Sequence, residues 1–390
     1  MRLISFGVSN YKSFLNKQFI RFDQGLKNVD VILGPNGSGK SNYFMAIRFF
    51  RDYIRTSTRF EGQNMQYLPF MLNDESEKIP TTFQAEMQTS KHVYRYDFSL
   101  LMGKVVDEVL SRKDLSENSN YVTIFSRKSL QKNRYEKYGF DSVILKNTRD
   151  DALILTKAWE NNNKYALEIF EWLKHLKLIS GDQPIVQTAR KAQEDADFKT
   201  KLLDLLRRAD LYIRDIDTDK INMPDEFFDS LPLNDEYKSG LDRTGYSIKT
   251  THILRNGKGE IVGTKKFLLD LESEGTKRIF ELAFPLLDTL ENGNMLYIDE
   301  LETHLHPREC EFLIELFTST DNNKKAQLIA NTHNTQVMDQ VGRNNIHLFG
   351  KNTQEETIIK DIPKDIRTED PSLEKKYKKG MFGAVPNISG

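Results

Sequence analysis

The stretch Gly34-Pro35-Asn36-Gly37-Ser38-Gly39-Lys40-Ser41 constrains this chain more than any other. It matches G-x-x-x-x-G-K-[ST] in full, and both flanks have the required character. Residues 29–33 are nearly all apolar, as in a buried strand, and residues 41–54 place Phe44, Ile47, Phe50 and Ile54 near one helical face. A strand that turns through glycines into a helix points backbone N–H groups, here those of Asn36 through Lys40, at an anion. The helix N-terminus adds its partial positive charge. In such a cradle, shaped by Gly34, Gly37, Ser38 and Gly39, Lys40 reaches β- and γ-phosphate oxygens and the Ser41 hydroxyl takes a Mg²⁺ position.

A partner motif lies far downstream. Met295-Leu296-Tyr297-Ile298-Asp299-Glu300 is an apolar strand ending in two carboxylates. Asp299 at the strand end can hold Mg²⁺ directly or through water, and Glu300 can act as general base on the attacking water. A third apolar run, residues 326–330, ends in Asn331-Thr332-His333-Asn334. A loop histidine is often a mere surface residue, but at the carboxyl end of a parallel strand His333 can reach a γ-phosphate or the attacking water. Lys40 and Asp299 must meet at one phosphate group, so one nucleotide-binding domain is split by a large insertion.

The intervening sequence changes period. Residues 81–127 alternate (Phe83, Ala85, Met87, then Tyr94, Tyr96, Phe98, Leu100), the pattern of an antiparallel sheet with one buried face. Residues 151–213 turn helical, with Tyr165, Ile169, Trp172, Leu173 and Leu176 on one face and Phe198, Leu202, Leu205 and Leu206 on another. An acidic stretch through Asp225, Glu226, Asp229, Asp235 and Glu236 reads as loop. Strand resumes at residues 246–254, Asn256-Gly257 signals a tight hairpin into residues 261–271, and three strand and helix alternations follow to about residue 350. The expected organisation is therefore 1–150 for the first half of the domain, 151–245 for a helical insertion, and 246–390 for the second half.

Composition narrows the class without naming a chemistry. The 56 Lys+Arg residues against 57 Asp+Glu give a net charge of −1, so no global field draws the chain to nucleic acid or membrane. One cysteine, Cys310, leaves no internal disulfide; with Leu313, Ile314 and Phe317 it makes an apolar helical face. The first residues lack the apolar run of a signal peptide, and no run is long enough to span a bilayer. A cytoplasmic protein with no membrane partner is the expectation.

With these residues in view, the chain resembles the ABC-type ATPases of the SMC/Rad50/RecF branch. Asn10-Tyr11-Lys12-Ser13-Phe14 looks like the N-terminal strand motif of RecF and OLD proteins. The phosphate loop extended to Asn42 is the branch's usual wording, and His333 matches the switch histidine. Glu272-Ser273-Glu274-Gly275-Thr276-Lys277-Arg278 stands where the signature loop belongs. It departs from Leu-Ser-Gly-Gly-Gln at Glu274 and Thr276 but keeps Ser273 and Gly275. Leu305-His306-Pro307 stands in the D-loop; His304 and His306 can be read as a metal pair or, in that loop, as subunit-interface residues. The signature form is similar to that of OLD-like AAA family ATPases of bacterial defence, the RloA, AbiL (AbiLi), Septu (PtuA) and PARIS (AriA) subunits. So does the ending, from Ser372-Leu373-Glu374-Lys375-Lys376-Tyr377 to Gly380-Met381-Phe382-Gly383-Ala384-Val385-Pro386. No Q-loop glutamine stands out, Gln63 and Gln66 being candidates.

The resemblance implies an α/β fold of the ABC/SMC-head type: a P-loop NTPase with a mixed sheet, an antiparallel β-subdomain and a helical insertion. It implies ATP and Mg²⁺ as cofactors. Because the signature loop acts in trans, it also implies a head-to-tail homodimer or higher oligomer, with ATP between one protomer's Walker motifs and the other's Ser273, Gly275 and His306. Few residues follow the last alternation, fewer than the ~100 of an appended TOPRIM nuclease domain. A separate effector nuclease (TOPRIM, RloB-like or HNH) is therefore expected, with a phage protein as trigger and any nucleic-acid contact made through the partner. Alternatives from the same motifs are a RecF/Rad50-like DNA repair ATPase, against which stands the lack of heptads for a coiled-coil arm, and a transporter ATPase, whose signature differs.

Overall fold

The computed structural model describes residues 1–22, 28–59, 68–116, 119–128, 134–137, 140–181, 185–226, 243–360, 362 and 372–383. Gln63, Gln66, Asp229, Asp235, Glu236 and the Ala384-Val385-Pro386 ending lie outside them. In chain order the strands are β1 (Arg2–Ser9), β2 (Gln18–Arg21), β3 (Val29–Leu33), β4 (Thr81–Gln88), β5 (His92–Leu101), β6 (Lys104–Asp114), β7 (Val122–Lys128), β8 (Arg134–Lys137), β9 (Leu176–Ile179), β10 (Asp215–Asn222), β11 (Thr244–Arg255), β12 (Ile261–Leu268), β13 (Met295–Ile298), β14 (Gln327–Thr332), β15 (Ile346–Lys351) and β16 (Thr357–Lys360). They fall into two compact units, one of residues 1–180, 289–302 and 313–390, the other of residues 181–288 and 303–312.

The first unit contains two sheets. One is antiparallel in the order β2-β1-β4-β5-β6-β7-β8. The other runs β16-β15-β3-β14-β13-β9 and is parallel except at its β16 edge. The alternation expected for residues 81–127 is realised: Phe83, Ala85 and Met87 on β4, and Tyr94, Tyr96, Phe98 and Leu100 on β5, are all buried. Successive side chains on a strand face opposite ways, so one face is made apolar. All five residues of β3 are buried, as a strand covered on both faces requires. Its one carboxylate, Asp30, lies 3.0 Å from His347 Nε2 on β15, which pairs a charge that burial would otherwise penalise.

Helix α1 (Lys40–Thr56) joins these sheets. On one side the Phe50 ring lies 5.5 Å from Phe6 of β1 and 5.6 Å from Phe98 of β5. On the other, Phe44 is 5.0 Å from Tyr297 of β13 and Tyr43 is 5.6 Å from Phe349 of β15. The Tyr43 hydroxyl donates to the Phe6 carbonyl at 2.7 Å, so a fully buried phenol keeps a partner. Each buried aromatic ring contributes about 1.5–3 kcal/mol, and α1 gathers them on two faces.

The second unit holds the antiparallel sheet β10-β11-β12 and the helices Val186–Glu194 and Ala196–Arg208. The Asp195 side chain accepts from the N–H groups of Asp197 and Phe198, capping the second of these, and Phe198, Leu202, Leu205 and Leu206 are its buried face.

Local expectations need correction at four places. Leu176 does not continue the helical face of Ile169 and Leu173; the helix ends at Lys174, and Leu176 opens β9 in parallel register with Met295 of β13. Asn256-Gly257 does not close a two-residue turn. Asn256 Oδ1 accepts from the N–H groups of Lys258 and Glu260, and the chain reverses over five residues with Gly259 at a φ of 83°. Strand β12 ends at Leu268, and Leu269–Leu271 form a 3-10 turn. The parallel alternation is followed by a further strand, β16, which sequence reading passed over. Cys310, Leu313, Ile314 and Phe317 are all buried as expected. No helix among the described residues is long and apolar enough to cross a membrane.

Because Phe50 touches both β1 and β5, Phe50→Ala should lower stability by about 3–5 kcal/mol. Denaturant or thermal unfolding checks this, and an unchanged midpoint would show that α1 does not carry the two sheets.

Candidate functional site

Three loops leave the carboxyl ends of three neighbouring parallel strands. The phosphate loop follows β3, Asp299 follows β13 and His333 follows β14, with β14 lying between the other two. Leu33 is in register with Thr332, and Ile298 with Ala330, so these loops emerge at one level of the sheet. That edge is where open parallel sheets bind ligands, because strand ends and helix N-termini converge there.

The phosphate loop owes its shape to two close approaches. Gly39 has a φ of 103°, and a Cβ there would lie 2.2 Å from Thr357 Oγ1. A Cβ at Gly34 would lie 2.4 Å from the Phe349 carbonyl oxygen. Both glycines let β15 and β16 press on the loop from behind. Thr357 Oγ1 lies 2.8 Å from the Ser38 carbonyl and 2.8 Å from Ser13 Oγ, and the Ser13 hydroxyl accepts from Asn42 Nδ2 at 2.8 Å. Asn42, grouped with the nucleotide-binding residues from its wording, therefore ties the first turn of α1 to the Asn10-Tyr11-Lys12-Ser13-Phe14 segment. Asn36 and Gly37 form the exposed tip of the loop, and Ser38 Oγ is buried with no hydrogen-bond partner among the described residues.

Ser41 and Asp299 are brought together from distant sequence: Ser41 Oγ lies 3.3 Å from Asp299 Oδ1. The same carboxylate oxygen accepts from Asn331 Nδ2 at 2.6 Å, and Asn331 is held in turn by the Tyr297 hydroxyl at 2.9 Å. Burial raises the Asp299 pKa, an effect offset in part by the hydrogen bonds from Asn331 and Ser41. Lys40 Nζ donates to the carbonyls of Gly34 at 2.8 Å and Pro35 at 3.1 Å. Burial lowers its pKa to about 8, against the opposing pull of Glu302, Asp299 and Glu300. Glu300 is exposed and has a φ of 56°, a left-handed turn out of the strand. His333 has its pKa lowered, by burial first and then by the Lys40 cation, so it is neutral at neutral pH. Its backbone N–H donates to Glu302 Oε1 at 2.8 Å.

The remaining sequence candidates belong to the second unit. Ser273 Oγ accepts from the Thr276 N–H at 3.1 Å and so caps the helix Glu274–Asn292. A Cβ on Gly275 would lie 3.1 Å from the His304 carbonyl oxygen, so the signature turn and the histidine segment are neighbours within that unit. The His306 N–H donates to Glu309 Oε2 at 2.7 Å. Among the described residues no group of three or more His, Cys, Asp or Glu could hold a metal ion.

Four side chains of consequence were not singled out by sequence: Asn331, Thr357, Glu302, and Ser13 as a support of the loop. Asn331 stands two residues before His333, but nothing local says that its amide turns to Asp299. Thr357 lies on an edge strand whose pairing is visible only in three dimensions.

Phosphate loop, lysine, hydroxyl and strand-end carboxylate at the carboxyl edge of this sheet make up a P-loop nucleotide-binding domain. The model of the family described as "AAA domain, putative AbiEii toxin, Type IV TA system" matches residues 31–339, and the chain belongs to that family. A curated relative, the "Retron Vc95 probable ATPase" of Vibrio cholerae serotype O1 biovar El Tor, is 22% identical over 395 residues, covering 90% of this chain and 74% of the relative. Among solved structures, the SMC head domain from Thermotoga maritima is 16% identical with a TM-score of 0.39, covering 93% of this chain and 100% of that one. The recombination mediator protein RecF is 14% identical with a TM-score of 0.34, covering 92% and 98%.

The lowered Lys40 pKa predicts a pH signature. Above about pH 8 the free protein has lost the Lys40 proton, which an ordinary lysine keeps to about 10.4. A triphosphate favours the ammonium, so nucleotide binding should take up a proton, and affinity should fall as pH rises through about 8. Calorimetric titration at alkaline pH in two buffers of different ionisation heat measures the uptake; none would contradict this state of Lys40.

Proposed function

We propose that this protein binds ATP with Mg²⁺, hydrolyses it, and thereby acts as sensor and regulator of a separate effector nuclease in bacterial anti-phage defence. The observation that carries the hydrolytic part is the meeting of Ser41 and Asp299 at 3.3 Å beside Lys40. Both supply hard oxygen donors, and a site with one carboxylate and one hydroxyl suits an ion that keeps phosphate oxygens and waters in its shell. When bound, Mg²⁺ offsets phosphate charge.

Lys40 then neutralises β/γ oxygens, Glu300 takes the proton of the attacking water, and neutral His333 hydrogen-bonds that water or the γ-phosphate. In this reading Ser273, Gly275 and His306 complete the site of a second protomer, so that ATP holds a head-to-tail dimer closed and hydrolysis opens it. The family's description as part of a toxin–antitoxin system, and the likeness to a retron's ATPase, support an ATPase that works with a separate partner in defence.

Glu300→Gln should keep ATP binding, lower turnover by about a hundredfold or more, and retain the dimer in ATP; Lys40→Ala should lose binding. Single-turnover hydrolysis and light scattering read both. Turnover by Glu300→Gln at the wild-type rate would remove Glu300 as base, and a monomer in ATP would remove the sandwich.

The partner is tested by co-purification from the native operon followed by mass determination, where a stable nuclease subunit is expected. A chain recovered alone, with direct DNA binding of steep salt dependence, would favour a DNA repair ATPase instead.

A further inference from the structure

Of the three carboxylates that act on Lys40, Asp299, Glu300 and Glu302, the hydrolytic reading leaves Glu302 without a task. It follows the Asp299-Glu300 pair by one intervening residue, Leu301, whose own N–H donates to the Asn331 carbonyl at 2.9 Å. That bond clamps the turn after β13 to the end of β14. One Glu302 oxygen, Oε1, accepts from the backbone N–H of His333 at 2.8 Å. The other, Oε2, is buried and has no hydrogen-bond partner among the described residues. An unpaired carboxylate oxygen kept from water is costly, so one persists where a function needs it. Its charge acts on Lys40 more strongly than that of Asp299 or Glu300, and on His333 more strongly than that of Glu300 or Asp299. Glu300, by contrast, is exposed.

We propose that Glu302 is a positioning residue of the hydrolysis step: through Oε1 it fixes the His333 loop against the turn that carries Asp299 and Glu300, so that the histidine and the base address the same water. This rests on the hydrolytic reading above. Among the described residues Glu302 is the acceptor of the His333 N–H, and the imidazole is placed by where that backbone sits. A glutamate is suited to the task because it reaches from one strand end to the next and its charge strengthens the bond to a neutral donor. Displacement of a catalytic group by about an ångström costs on the order of a hundredfold in rate, which sets the expected effect.

The test compares Glu302→Ala, Glu302→Gln and the wild type in the full chain. Glu302→Ala should lower kcat by about tenfold to a hundredfold with the KM for ATP changed by less than about threefold. Glu302→Gln keeps a carbonyl acceptor for the His333 N–H and should recover most of the loss. In a His333→Ala background Glu302→Ala should cost nothing more, since it acts through that loop. Wild-type kcat in Glu302→Ala, a loss confined to KM, a Gln variant as poor as the Ala variant, or full additivity with His333→Ala would each overturn the proposal.

Amide hydrogen exchange at His333 reads the same bond without turnover. Faster exchange in Glu302→Ala is expected, and unchanged exchange overturns the assignment even if the wild type proves not to hydrolyse ATP. Failure of the hydrolytic reading itself would show separately, as a wild type no faster than Lys40→Ala.

Discussion

Helix α1 is held on both sides by aromatic rings, and the phosphate site exists because of that. Phe50 and Phe6 fix it to the antiparallel sheet, while Phe44 with Tyr297 and Tyr43 with Phe349 fix it to the parallel one. A helix free to slide would carry Lys40 and Ser41 with it, since both lie in its first turn. Close-packed rings with one well-defined fit remove that freedom. The hydrogen bond from Tyr43 to Phe6 and the link from Asn42 to Ser13 fix the same helix at its first turn by directional contacts.

Once α1 is fixed, the charge balance of the site follows from burial. One ammonium, Lys40, lies among three carboxylates, Asp299, Glu300 and Glu302, and burial still dominates its titration. Burial also acts on Asp299, and the hydrogen bonds from Asn331 and Ser41 stabilise its charged form against that pressure. In the proposed reading, a ligand that brings both a polyanion and a divalent cation would give each of these charges a partner. His333 is kept neutral by the same burial and by the same lysine, which leaves its ring able to accept as well as donate a hydrogen bond.

Much of this was legible in the sequence. The phosphate loop, the strand ending at Asp299 and the one ending at His333 are short local patterns: apolar runs of strand length followed by residues of fixed chemistry. The alternation on β4 and β5 was legible for the same reason, as period two follows from the pleat. What failed was also instructive. Leu176 continued a helical pattern for one residue too many, because a short apolar segment fits helix and strand equally and only its neighbour β13 decides. The hairpin from β11 into β12 formed as expected, but its turn is longer than a tight one because Asn256 bonds to two N–H groups along the loop. Asn331, Thr357 and Glu302 were passed over because each is an ordinary polar residue whose importance lies in what it faces.

The sequence by itself determined that a strand, a glycine turn and a helix would present Lys40 and Ser41 to a phosphate, since backbone sterics and periodicity act over a few residues. It also required that Asp299 come from far along the chain to meet them. Only the tertiary structure decided which side chains hold that meeting in place: Thr357 behind Gly39, Asn331 on Asp299, and Glu302 under His333. Those contacts join strands whose order in the sheet differs from their order in the chain. Hydrogen bonds depend on distances of a few ångströms, and no local pattern encodes a distance between segments separated by most of the chain.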